Sequence, residues 1–250
     1  MTTQVGLFGH PVKQNLSAIM HNAAFDALSM PWRYLLRDVE PGNVGTAVRQ
    51  ALSEGWAGWN VTIPHKLEIV ASMNRLSPDA AIIGAVNTVQ VTPEGLVGHN
   101  TDGAGCMLAM RQEIGQGPEG LRVVQIGSGG AGRAVAVYLA KEGAREILLC
   151  DADQSRSQGV VALLVKHFPE VGVRALARER LPEALRNADM IVNATPIGMW
   201  PKVDTEPPII RSGCPRAFWS TTSSTTHPVR SCFKRRSKED AGFSADCPCW

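Results

Sequence analysis

Leu121-Arg122-Val123-Val124-Gln125-Ile126-Gly127-Ser128-Gly129-Gly130-Ala131-Gly132 is the stretch on which the fold turns. Its first half is a short apolar run of strand length. A G-x-G-x-x-G pattern follows at once, and Ala131 to Lys141 reads as a helix. Glycines have a physical reason to stand here. Gly127 permits the tight turn, Gly129 lets main-chain amides approach a pyrophosphate, Gly130 keeps the loop bare, and Gly132 allows close helix contact. Downstream the order is strand (Glu146 to Cys150), helix (Ser155 to Phe168), strand (Val171 to Ala175), helix (Leu181 to Ala188) and strand (Met190 to Ala194). That alternation is the pattern of a parallel, doubly wound sheet.

Upstream the chain also alternates. Gln4 to Phe8 reads as a strand, Ser17 to Leu28 as a helix with Ser17 at its N-cap, Val44 to Leu52 as a helix and Trp56 to Ile63 as a strand. Ala80 to Val86 is a further apolar run. Pro93-Glu94-Gly95 supplies a turn between Val89-Gln90-Val91 and Leu96-Val97-Gly98-His99, which is hairpin chemistry. The polar, Gly-rich segment from Gln112 to Gly120 precedes the Leu121 strand, and a helix begins near Gly103. The expectation is an α/β chain with an N-terminal α/β domain over 1–103 and a Rossmann-type domain over 104–210.

An acid at the end of the next strand sharpens the dinucleotide reading. Asp151, about 20 residues beyond the glycines, can accept hydrogen bonds from adenosine ribose hydroxyls. It also repels a 2′-phosphate, and Ala152, Asp153 and Gln154 follow it rather than Arg or Lys. This predicts NAD over NADP. The competing assignment makes Asp151 a helix cap, a role Asp153 fills equally well.

The formal net charge of +2 is unevenly spread. From Arg211 onward seven cations meet Glu239, Asp240 and Asp246, a net +4, which leaves −2 for residues 1–210. That balance gives no electrostatic footprint for nucleic acid. No apolar stretch has the length of a membrane span, and the N-terminus lacks a basic segment followed by an apolar one. A cytoplasmic enzyme with reduced thiols is expected, as a monomer or homodimer.

Three motifs end strands in the first hundred residues: Asn60-Val61-Thr62-Ile63-Pro64-His65-Lys66, Ile83-Gly84-Ala85-Val86-Asn87-Thr88 and Asn100-Thr101-Asp102-Gly103. Open α/β sheets bind ligands at strand ends, and these motifs carry amide, hydroxyl, ammonium and carboxylate groups there. With Asn193-Ala194-Thr195-Pro196-Ile197-Gly198-Met199, the set resembles the shikimate and quinate dehydrogenase family over residues 5 to about 208. The resemblance implies hydride transfer between a nicotinamide dinucleotide and one ring carbon of a polyol carboxylate, shikimate or quinate. It further implies Lys66 and Asp102 as the catalytic pair, Thr62 and Asn87 as ligands of substrate hydroxyls, and Asn193, Thr195 and Met199 at the cofactor. The family's S-x-S at the first helix, which binds the substrate carboxylate, stands here as Asn15-Leu16-Ser17. Asn15 and Ser17 are the residues expected to fill that role. Departure at Asn15 also keeps open a non-catalytic relative that binds a ligand or dinucleotide.

After Ile210 the resemblance stops. The family continues with a strand of the type V-Y-D-V-V-Y-N-P, whereas Phe218 to Pro228 reads F-W-S-T-T-S-S-T-T-H-P and shows no strand or helix periodicity. Read one base earlier, codons compatible with these residues spell V-L-V-Y-D-V-V-Y-N-P-P. Residues 211–250 therefore read as out-of-frame translation, with a genuine Ser/Thr-rich flexible tail as the competing reading; on the first, the sheet is expected to lack its next strand and the chain to show poor stability and impaired turnover. Cys247-Pro248-Cys249 with His227 cannot by that spacing complete a tetrahedral set, so no metal site is expected.

Overall fold

The computed structural model describes residues 2–197 and the backbone of 218–220. In chain order its elements are β1 (Thr3–Gly9), α1 (Ser17–Ala27), β2 (Trp32–Asp38), α2 (Val44–Ser53), β3 (Trp56–Val61), β4 (Arg75–Leu76), α3 (Pro78–Ile83), β5 (Thr88–Thr92), β6 (Gly95–His99) and α4 (Asp102–Ile114). There follow β7 (Arg122–Ile126), α5 (Gly130–Lys141), β8 (Glu146–Cys150), α6 (Gln154–His167), β9 (Gly172–Ala175), α7 (Leu181–Arg186), β10 (Met190–Asn193) and β11 (Phe218–Ser220). The chain divides into two compact units, Met1–Asp102 and a second beginning at Gly103.

In the first unit six strands lie in the order β2-β1-β3-β5-β6-β4. β1 is parallel to both β2 and β3, while the β5–β6 hairpin runs antiparallel to β3 and turns at Gly95. One face is sealed by α2, whose Val44, Ala47, Val48 and Ala51 recur at helical spacing and are buried. They meet Phe8, Trp56 and Trp59, with the Phe8 ring stacked on Trp59 at 5.1 Å and tilted against Trp56 at 5.8 Å. The strand β2 was not anticipated: Trp32 to Asp38 alternates weakly and carries Arg33, Arg37 and Asp38. Parallel pairing with β1 along seven residues outweighs that polar content. Asn22 of α1 clamps it further, donating to the Tyr34 carbonyl and accepting from the Tyr34 N–H at 3.0 and 2.8 Å.

Among the described residues of the second unit the strand pairings are parallel, in the order β11-β10-β7-β8-β9. β7 comes first in sequence yet lies at the centre, so the winding reverses between β7 and β10, where such sheets bind ligands. Helix α5 is buried on nearly all sides through Ala134, Val135, Ala136, Val137, Leu139 and Ala140; its small residues let it lie close on the sheet.

Two expectations need correction. Ser17 is the first helical residue of α1 rather than its cap, and its N–H is met at 2.8 Å by Oδ1 of Asn15. The amide reaches back over one residue, which a serine hydroxyl inside the helix cannot do for its own N–H. Second, the sheet does not stop at β10, because Phe218–Ser220 pairs in parallel with Ile191–Asn193. Main-chain hydrogen bonding requires only extended backbone, so an edge of buried strand β10 can recruit a segment whose side chains carry no strand periodicity. The rest of 211–250, including the cysteines and His227, and Met199 lie outside the described residues.

Candidate functional site

Three segments converge in the first unit. Thr62 leaves β3 with its N–H on the Phe8 carbonyl at 2.8 Å, and its own carbonyl accepts from His65 N at 3.0 Å. His65 is fully buried, with Nε2 against the Val39 carbonyl, so it anchors the turn that carries Lys66. The Lys66 carbonyl accepts from Val86 N at 2.8 Å, which holds the lysine beside Asn87. Asn100 completes the frame: its Nδ2 donates to Ala85 O at 3.0 Å and its Oδ1 accepts from Asp102 N at 3.0 Å.

These backbone ties bring Lys66 Nζ within 2.7 Å of Asp102 Oδ2, with side chains only 14% and 23% exposed. Such burial separates this pair from ordinary surface salt bridges, which water screens. Asn87 occupies the other carboxylate oxygen, donating from Nδ2 to Asp102 Oδ1 at 2.8 Å and to Thr101 Oγ1 at 2.9 Å. Lys66, Asp102 and Asn87 thus form one cluster, and Thr62 stands on the segment that leads into it. Asn15 and Ser17 are joined to each other at the start of α1. Asn100, Thr101 and Thr88 belong to the same strand-end motifs. Their side chains orient the cluster rather than reach out of it, so residue type alone did not distinguish them.

In the second unit the glycines take the geometry their positions demand. Gly127 has φ +97°, and a Cβ there would lie 2.8 Å from the main-chain carbon and oxygen of Ala194. A Cβ on Gly132 would lie 2.2 Å from the Gly127 carbonyl oxygen, whereas one on Gly129 would meet open space. Gln125, a buried polar residue in an apolar strand, fixes the loop by donating Nε2 to the carbonyls of Gly127 and Gly132 at 2.9 and 2.8 Å. Its polarity inside Leu121 to Ile126 was the available signal for this role. Ser128 Oγ is buried with no partner among the described residues. A bare loop at the N-terminus of a 12-residue helix, with an unmet hydroxyl beside it, fits the diphosphate of a dinucleotide.

Asp151 closes the loop from the side, accepting from Ser128 N at 2.6 Å and Asp153 N at 2.9 Å. The helix-cap role belongs to Asp153, whose carboxylate accepts from Ser155 N at 3.0 Å. Asn193 ends β10 and Thr195 follows it next to Gly127, with Thr195 N and Oγ1 both on Asn193 Oδ1 at 3.1 and 2.7 Å. Burial pushes the Cys150 thiol above its usual range, and the neighbouring Asp151 charge adds to that. No helix among the described residues is long and apolar enough to cross a membrane.

Comparison with known proteins agrees with both halves. Residues 7–89 match the shikimate dehydrogenase substrate binding domain, and residues 123–198 match the saccharopine dehydrogenase NADP binding domain. Shikimate dehydrogenase (NADP(+)) of Methanopyrus kandleri is 44% identical over 213 residues, covering 84% of this chain and 72% of that protein. The enzyme of the same name from Methanocaldococcus jannaschii is 38% identical over 206 residues, 82% of this chain and 72% of its own length. A crystal structure of shikimate dehydrogenase in complex with NADP+ superposes with a TM-score of 0.73 at 37% identity, over 82% of this chain and 71% of that one. Quinate dehydrogenase from Corynebacterium glutamicum in complex with NAD gives 0.74 at 28% identity, over 83% and 74%. On this similarity, joined to the two sheets and the motifs they carry, the chain belongs to the shikimate dehydrogenase family.

Proposed function

We propose that the chain catalyses the interconversion of shikimate and 3-dehydroshikimate with NADP+ as hydride acceptor. The observation that carries this reading is the 2.7 Å contact between Lys66 Nζ and Asp102 Oδ2 beside the Asn87 amide. A dinucleotide held by the Gly127 to Gly132 loop supplies the hydride-accepting ring. In oxidation the neutral Lys66 amine takes the hydroxyl proton; in reduction the ammonium returns it. Asp102 orients Lys66 and accepts a hydrogen bond from a substrate hydroxyl, with Asn87 and Thr62 as further hydroxyl ligands. The substrate carboxylate needs donors. Because Oδ1 of Asn15 is committed to Ser17 N, the Asn15 Nδ2 and Ser17 Oγ groups are the ones assigned to it.

The NAD preference expected from Asp151 lacks support among the relatives, whose names carry NADP(+). Both carboxylate oxygens of Asp151 accept main-chain N–H groups, so the side chain also has a role in fixing the loop. Asp151 itself is the observation that favours NAD, and it supports that second reading. Initial rates of shikimate and quinate oxidation with each dinucleotide test all of this. Dinucleotide reduction with shikimate, faster with NADP+ than NAD, is expected. Absence of shikimate-dependent reduction with either one overturns the assignment, and a faster rate with NAD overturns the nucleotide.

A further inference from the structure

We propose that Tyr34 and Thr88 are positioning residues for the Lys66–Asp102 pair, acting through a one-way relay of hydrogen bonds that ends on the Asp102 carboxylate. The inference rests on the reading of that pair as the reacting groups. The relay runs Tyr34 Oη to Asn60 Oδ1 at 2.8 Å, Asn60 Nδ2 to Thr88 Oγ1 at 3.1 Å and Thr88 Oγ1 to Asn87 Oδ1 at 3.0 Å. It finishes with Asn87 Nδ2 to Asp102 Oδ1 at 2.8 Å, while Lys66 holds the other oxygen.

Its direction is forced from the Asp102 end. An ionised carboxylate only accepts, so Asn87 must present its NH2 group to Asp102 and its oxygen to the opposite side. A rotated amide would set oxygen against oxygen. The oxygen of Asn87 is held by the Thr88 hydroxyl and by Thr101 N at 3.1 Å. Thr88 has a single hydroxyl hydrogen, and the Asn87 oxygen takes it, so Thr88 can only accept from Asn60. Asn60 therefore shows its NH2 to Thr88 and its oxygen to Tyr34, whose hydroxyl donates to it. Tyr34 starts the series from a fixed place: it is 5% exposed, clamped by Asn22 through both main-chain groups and stacked on His21 at 4.4 Å. Burial holds its phenol above the usual range, so it remains a donor.

The variants Thr88→Val, Thr88→Ser, Tyr34→Phe and Lys66→Met of the full chain test the proposal. Tyr34, Asn60 and Thr88 line a cavity of about 400 Å³. Water can therefore replace the lost phenol hydroxyl, and Tyr34→Phe should be the milder change. Thr88→Val is expected to lower kcat for shikimate about 10- to 100-fold with a smaller rise in KM, since the pair is misaligned while Asn87, itself a proposed hydroxyl ligand, keeps the Thr101 N–H on its oxygen. Thr88→Ser should restore the rate. A readout independent of turnover is the 15N spectrum of the Asn87 amide and Lys66 amine: both resonances should move in Thr88→Val and return in Thr88→Ser. An inert Lys66→Met together with an unchanged spectrum and kcat in Thr88→Val overturns the relay alone. So does a Thr88→Ser variant as impaired as Thr88→Val. Full rate in Lys66→Met overturns the reading of the pair itself.

Discussion

Lys66 Nζ stands 2.7 Å from Asp102 Oδ2, although the two residues are separated by 36 positions in the chain. The Val86 N–H on the Lys66 carbonyl and the Asn100 amide on Asp102 N set the approach. Removing the charge should therefore leave the fold in place. Lys66→Met is expected to lower kcat about 10²- to 10⁴-fold, the usual worth of a positioned acid or base. Melting temperature should stay within a few degrees. A loss of rate accompanied by an equal loss of folded protein would assign Lys66 to stability instead.

The glycine loop makes a sharper structural prediction. Gly132→Ala places a methyl 2.2 Å from the Gly127 carbonyl oxygen, a main-chain atom held by Gln125 and unable to yield cheaply. Gly129→Ala meets open space in the protein and would intrude only on a bound diphosphate. The first variant should lose about 1–3 kcal/mol of stability in urea unfolding. The second should unfold like the parent while its dinucleotide affinity, measured by fluorescence titration, falls at least tenfold. Equal affinity in Gly129→Ala would remove the loop from the cofactor site.

Much of this was legible in the sequence because the decisive groups lie in local patterns. G-x-G-x-x-G after an apolar run specifies a strand, a turn and a helix start within 12 residues, and β7 and α5 follow it closely. Lys66, Asn87 and Asp102 stand in short motifs at strand ends, so their types and positions could be read before their contacts were known. What escaped was non-local. Trp32 to Asp38 becomes a strand through seven parallel pairings with β1, a partner that no window of β2 itself reveals. Tyr34 owes its place to that strand and therefore escaped as well. The cap of α1 misled because Ser17 is a better general capping residue than Leu16, while the actual oxygen comes from Asn15.

Asp151 gives a test of nucleotide choice with a defined sign. Asp151→Asn keeps an oxygen for Ser128 N and removes the negative charge from the loop. The KM for NADP+ should fall about 3- to 10-fold while that for NAD rises, because the repulsion of the 2′-phosphate and the acceptor for the ribose hydroxyls are lost together. Parallel steady-state measurements with both dinucleotides check it. Unchanged ratios would mean that Asp151 serves only to tie Ser128 to β8.

Cys150 sets a pH limit. Its thiol is raised by burial first and by the Asp151 charge second, so the native state keeps the proton after the unfolded chain has released it. Below the ordinary thiol range of about 8.5 both states are protonated and the group contributes no pH dependence. Above it the unfolded state gains stability by ionising and the native state does not, so stability falls as pH rises. Urea midpoints taken at pH 7.5 and 9.5 should drop in the parent and drop less in Cys150→Ala. Equal slopes in both proteins would exclude the thiol as the cause.

The last strand bears on the reading of the tail. β11 pairs with β10 through main-chain groups at Phe218 to Ser220, the place where the one-base-earlier reading spells V-L-V. If residues 211–250 are out-of-frame translation, the coding DNA across codons 205 to 215 must show the slip, and the codons for Phe218 to Pro228 must spell V-L-V-Y-D-V-V-Y-N-P-P one base earlier. A chain rebuilt in that frame should retain the parallel pairing with β10, because hydrogen bonding there is indifferent to side chains. It should also bury alternating apolar residues along the strand, raising the melting temperature by several degrees through added apolar cover. Codons incompatible with the earlier frame would end the proposal, and a rebuilt chain no more stable than the parent would show that the missing pattern contributes nothing to the sheet.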